Sequence, residues 1–283
     1  KRSKNQPSIS GRSSVIRQPA VAGQFYPSDP QRLKSLIASL LDKKEAKKER
    51  ALACVLPHAG YVYSAKVAAA TLSSIALPDT CVILGPNHTG FGTPASIMTE
   101  GQWQMPLGTI DIDTGMARSI LGRSGYLQDD EVAHAYEHSI EVQLPLIRQI
   151  KGAAFRFVPI ILASEEKLMY KDIAHSIAAA VREAKKDVLV IASSDMTHYE
   201  PQKLAMEKDQ KAIEAMLALD ADELEDRVKR LQISMCGYMP AIVAIMAAKE
   251  LGAKTARLAA YQTSGDVSGD YSSVVGYAGI VIC

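Results

Sequence analysis

The 283-residue chain has almost no net charge: 32 lysines and arginines stand against 31 aspartates and glutamates, a formal balance of +1. No field of one sign therefore draws it to nucleic acid or to an anionic membrane. No apolar run reaches the roughly 18 residues of a membrane-spanning helix, and no secretory core stands near the N-terminus. The four cysteines, Cys54, Cys81, Cys236 and Cys283, include no CxxC pair and no disulfide-like spacing. In a chain this long they read as thiols that pack or bind metal in a reducing compartment, which points to a cytoplasmic protein. Internal repeats, low-complexity segments and interior linkers are also missing.

What remains is ordinary globular composition, 47% hydrophobic and 22% charged, with length enough for a large core. Residues 1–18 are basic, Ser-rich and without apolar periodicity, and read as a flexible tail; residues 19–283 read as one domain. Ser28 to Lys48 has a helical apolar face, with Ser28 and Gln31 as a capping box and Pro30 in the first turn. Further helices are expected at 64–77, 113–121, 137–150, 165–184, 202–219, 221–231 and 237–251. Short apolar runs at 51–56, 80–84, 155–162, 187–192, 257–262 and 274–282 read as strands. This alternation predicts a single-domain α/β fold, with a mixed or mostly parallel central sheet and helices on both faces.

Three of the apolar strands run straight into polar residues. Ala51–Leu56 leads to Pro57-His58-Ala59-Gly60-Tyr61, Thr80–Leu84 to Gly85-Pro86-Asn87-His88, and Val188–Ala192 to Ser193-Ser194-Asp195-Met196-Thr197-His198. Ligands of open α/β sheets bind outside the carboxyl ends of the strands, so parallel neighbours would turn all three imidazoles into one crevice. Cys236 stands just before a predicted helix, where the dipole can acidify a thiol; the competing reading is a small buried hydrophobe. Cys54 and Cys81, inside apolar strands, fit packing. His138 and Glu141 would share a helix face. They line the pocket or orient a ligand, form a zinc pair, or simply cap the helix. His134 and His175 read as surface histidines.

The segments RQPAVAGQFYP from Arg17, PHAGYVYS from Pro57, LGPNH from Leu84, EHSIEVQLP from Glu137, SSDMTHY from Ser193 and MCGYMP from Met235 occur in this order. Together they resemble the Memo family, whose prokaryotic members are known as AmmeMemoRadiSam system protein B, over nearly the whole chain from about residue 17. The resemblance implies a fold shared with the class III extradiol dioxygenases, in which two histidines and a carboxylate hold iron. It implies His58 and His88 as metal ligands and Cys236 in the third position. His198 falls at the acid–base histidine, with Asp195 beside it. Phe25 and Tyr26, the aromatic pair of the entry block, would form one wall of the cleft, and Tyr61 would line the pocket or stand behind the ligands. A thiolate in place of a carboxylate makes the site softer, so ring cleavage does not follow from the fold.

The first functional expectation is an oxidoreductase with one metal ion per chain, iron(II) before copper or zinc. His198 would be general acid/base and Asp195 would orient it or bind a ligand. The alternative is a metal-handling or peptide-binding protein without turnover. The family context implies AMMECR-type and radical SAM proteins as partners, beside a small-molecule or peptide ligand. A zinc hydrolase built on His138 and Glu141 ranks last.

Overall fold

The computed structural model describes residues 15–41 and 48–283. Four parallel strands form its centre, in the spatial order Arg156–Leu162, Thr80–Pro86, Val188–Ser193, Ala53–Leu56. Apart from Arg156 their residues are all buried, which is why they read as continuous apolar runs and not as alternation. Val274–Ile282 adds antiparallel to Ala53–Leu56, and Ala256–Thr263 antiparallel to that. On the other side come Gly108–Ile112, Gln102–Met105 and finally Ile16–Arg17. The sheet is mixed with a parallel core, as the sequence predicts. Gly279 faces Thr71 of helix Tyr61–Ser73, whereas Gly276 faces Asp209 of helix Gln202–Leu217. The two glycines are an odd number of residues apart on one strand, so these helices cover opposite faces.

Several boundaries differ from the sequence reading. Within the segment expected as a tail through residue 18, Ile16–Arg17 pairs with Gln102–Met105 and Arg17 finds a buried carboxylate partner. Residues 1–14 lie outside the described residues, as does the 42–47 part of the helix expected to reach Lys48. The observed helix is Pro30–Leu40, and its cap is Asp29 and not Ser28: the Asp29 carboxylate accepts the Arg32 N–H at 2.8 Å. The helix expected over 137–150 begins only at Leu144, after a single 3-10 turn at Glu141–Gln143. Upstream, the carbonyls of Glu137 and Ser139 accept from Arg17 and Ser193, and so are not available to a helix. Pro145, in the first turn, favours the later start.

His134, expected at the surface, is fully buried. Its Nδ1 donates to the Asp130 carbonyl at 2.9 Å and its ring packs against Trp103. Burial pushes its pKa down to about 4, and the Arg17 cation adds to this against the Asp130 carbonyl. The unfolded chain, with an ordinary pKa of about 6.5, therefore takes up this proton first. The contribution is intact above about pH 6.5 and is lost as pH falls toward 4, at up to about 1.4 kcal/mol per pH unit. Urea titrations of His134→Asn between these pH values should show a shallower acid limb than wild type, by up to one proton; equal slopes would contradict the assignment. His175 is exposed, as read, beside Glu250.

Candidate metal centre

The strands that deliver His58 and His88 lie on either side of Val188–Ser193, with Leu56 in register with Ser193 and Leu84 with Ala192. Strand ends two places apart in a sheet are separated by roughly 10 Å. Imidazoles leaning inward span that gap, His58 resting on the Ser193 hydroxyl of the strand between them. The two rings meet edge to face, with centroids 5.2 Å apart. Cys236 enters from the turn before helix Tyr238–Glu250, its Sγ 3.3 Å from His58 Nε2. Gly237 permits this approach, since a Cβ there would lie 2.2 Å from the Ser193 carbonyl oxygen. One ligand atom each from His58, His88 and Cys236 falls within 4.8 Å of the others.

Hydrogen bonds decide how the two imidazoles present themselves. The Ser193 hydroxyl has one proton, which goes to the Ser139 carbonyl at 2.6 Å. It therefore accepts from Gln143 Nε2 at 2.8 Å and from His58 Nδ1 at 2.9 Å. His58 thus carries its proton on Nδ1 and turns a bare Nε2 toward the thiol. His88 Nδ1 lies 2.9 Å from Glu137 Oε1, and the same carboxylate accepts the N–H groups of His88 and Ser139. Burial alone would raise the Glu137 pKa, but these bonds outweigh it and hold the pKa at about 2. An ionised Glu137 fixes the proton on His88 Nδ1 and leaves Nε2 bare.

The electrostatics suit a cation that the donors themselves lack. Burial, then the imidazoles of His88, His138 and His198, push the His58 pKa well below its usual range, so it stays neutral. The Cys236 thiol is not acidified as the helix-start argument expects: burial and the Asp195 carboxylate push it well up. Two bare imidazole nitrogens and a thiol that ionises only beside a cation fit a borderline-soft metal ion.

The other expected site residues are distributed around this group. Asp195, raised to about 6 by burial, accepts the backbone N–H of His58 at 2.8 Å and of Ala59 at 3.3 Å. It braces the His58 loop and does not orient His198, whose Nδ1 donates instead to the Ser234 carbonyl at 2.9 Å. His198 is half-buried, and its Nε2 has no hydrogen-bond partner among the described residues. His138 stacks on His88 at 4.6 Å and contacts Phe25 at 4.8 Å, so both stand beside the ligand group. Tyr61 is buried and its hydroxyl holds the Val142 carbonyl.

Glu141 does not line the site or pair with His138. Its carboxylate accepts from Arg17, the Ala20 and Val21 N–H groups and the Tyr26 hydroxyl, because the non-helical 137–140 backbone turns it away. Sequence reasoning missed Glu137, although it stands next to His138; the helical assumption drew attention to spacing and not to the neighbour. Glu137→Gln is expected to weaken metal binding by about 10–100-fold in chelator competition, since it loosens the bond that orients His88. Unchanged affinity would remove Glu137 from this role.

The sequence profile described as Memo-like protein matches residues 17–281. A MEMO1 family protein of Methanopyrus kandleri is 45% identical over 277 residues, covering 94% of this chain and 98% of that one. One from Methanosarcina barkeri is 44% identical over 267 residues, with 94% and 100% covered. One from Aquifex aeolicus is 41% identical over 266 residues, with 94% and 98% covered. The crystal structure of an uncharacterized protein from Escherichia coli K12 superposes with a TM-score of 0.55 at 13% identity, over 83% of this chain and 100% of that one; it shows the fold alone.

Proposed function

The chain belongs to the Memo-like protein family, and on that premise we propose that it is a metal-dependent oxidoreductase with one ion per chain held by His58, His88 and Cys236. The observation that carries this reading is the pair of Nδ1 anchors, Ser193 and Glu137, which leave both Nε2 atoms bare beside a thiol. Iron(II) is the first choice of ion, with copper or zinc as alternatives. When bound, a redox-active ion supplies electron-transfer chemistry toward a small-molecule or peptide ligand. The protein's own part is to keep the His58 imidazole neutral, to hold both rings by their Nδ1 atoms, to give up the thiol proton to solvent on loading, and to offer His198 Nε2 for proton transfer. His138 and Phe25 wall one side and limit water.

Metal analysis of anaerobically purified protein tests the centre. Close to one equivalent of transition metal is expected in wild type and a small fraction of that in Cys236→Ser. His198→Gln should retain the metal. Absence of metal from wild type, after offering each candidate ion, overturns the proposal.

A second reading is favoured by the raised thiol alone. Loading must release the Cys236 proton, so acidification promotes release of the ion, as suits metal handling without turnover. AMMECR-type and radical SAM proteins are the partners proposed for either role. No helix among the described residues is long and apolar enough to cross a membrane.

A further inference from the structure

Away from the metal ligands, a groove of about 600 Å³ runs along the outer edge of the sheet. Its walls are apolar and open to solvent: Ile16 is 48% exposed, Phe91 55%, Val132 56% and Tyr136 70%. Large side chains of this kind gathered on one face of a protein mark an interaction site more often than chance exposure. The floor of the groove includes Ile16–Arg17, the last strand on this side of the sheet. That strand pairs with Gln102–Met105 on one side and has no strand neighbour on the other among the described residues. Ile16, exposed on this edge, is the position at which a further strand would join, Arg17 being buried.

One end of the groove is acidic. Glu100, Asp129 and Glu131 surround a smaller hollow that shares Val15 with the groove. Arg118 balances Glu100, but no cation stands beside Asp129 or Glu131 among the described residues. From these observations we propose that this edge docks an extended, apolar segment of another protein that carries a lysine or arginine at one end. The segment adds a strand beside Ile16–Arg17, places alternate side chains against Phe91, Val132 and Tyr136, and sets its cation by Asp129 and Glu131. The composition of residues 1–14 of this chain suits that description poorly. They include Lys1, Arg2, Lys4 and Arg12, which match the acidic end, but only Ile9 as a large aliphatic for the groove.

The groove is one residue from the metal centre. Arg17 donates to the Glu137 carbonyl at 2.7 Å, and the Phe91 carbonyl accepts from Asn87, the neighbour of His88. An occupant therefore bears on the backbone of Glu137, whose carboxylate anchors His88, and on the loop that carries His88.

The probe is a short fluorescein-labelled peptide alternating valine and threonine and ending in two lysines, titrated by anisotropy into the full chain. Saturable binding is expected, weakened about tenfold or more by Ile16→Glu or Val132→Glu, and severalfold by Glu131→Lys. Because Ile16 and Val132 are half-exposed, these variants should fold normally, checked by circular dichroism. Hydrogen exchange should slow at residues 15–17 when the peptide is bound. Binding that none of the three variants weakens, or no protection at 15–17, overturns the proposal. So does a dimer by sedimentation velocity that Ile16→Glu dissociates, since a second copy then fills the groove. Removal of residues 1–14 that tightens peptide binding more than about tenfold overturns it too, by making the chain's own N-terminal segment the occupant.

Discussion

Replacing Arg17 by leucine is expected to lower the stability of the fold by about 3–5 kcal/mol, the range for breaking a buried ion pair by removing one partner. Arg17 and Glu141 are both buried and joined by a salt bridge across 124 residues of sequence. Without the guanidinium, Glu141 keeps its three neutral donors but remains a buried carboxylate with no countercharge. The same substitution removes the donors to the His134 and Glu137 carbonyls, at 3.0 and 2.7 Å, and the cation over the Trp103 ring at 4.2 Å. Domains of this kind have only about 5–15 kcal/mol of stability in total, so the loss should be plain in the urea midpoint. Adding Glu141→Gln to Arg17→Leu should recover part of it, because a neutral amide no longer needs a countercharge. A shift below about 1 kcal/mol for Arg17→Leu would show that the pair does not hold the N-terminal segment in place.

The second large effect is expected at Gly237. In Gly237→Ala the new Cβ would sit 2.2 Å from the Ser193 carbonyl oxygen and 2.9 Å from Ser194 Cα. Both are backbone atoms at the end of the central strand and cannot swing aside. The chain must move at residue 237, and the adjacent Cys236 moves with it. Overpacking of this kind costs about 1–3 kcal/mol, which the fold should survive. The metal should not stay: with Sγ displaced, only two imidazoles remain, and metal content should fall toward that of Cys236→Ser. Folded Gly237→Ala with a full equivalent of metal would mean that Cys236 is dispensable to the centre or that the turn relaxes by another route.

Much of the ligand group was legible before any coordinates. A buried parallel strand is apolar on both faces, so the runs ending at Leu56, Leu84 and Ala192 could be recognised from composition alone. A histidine just past such an end must lie near the carboxyl edge of the sheet. His58 and His88 followed from local chemistry, and Cys236 from the resemblance together with its place before a helix. The roles of the acids were not legible in the same way. Glu137 and Glu141 stand four residues apart in one polar segment, and a helix would have sent them to the same side. The segment is not helical, because its carbonyls are claimed by Arg17 and Ser193, which lie 120 and 54 residues away in sequence.

By itself, then, the sequence determined which strands are buried, which imidazoles stand at their ends, and that the third candidate ligand is a thiol. The first two are consequences of short-range pattern, the hydrophobicity of a few neighbours and the identity of the next residue; the third is implied by the family resemblance. Tertiary structure alone decided that Glu137 faces His88 while Glu141 faces Arg17, that His134 is buried, and that Asp195 braces His58 while Ser234 holds His198. Each of those outcomes rests on a hydrogen bond or a packing contact between parts of the chain whose separation in space no local pattern records.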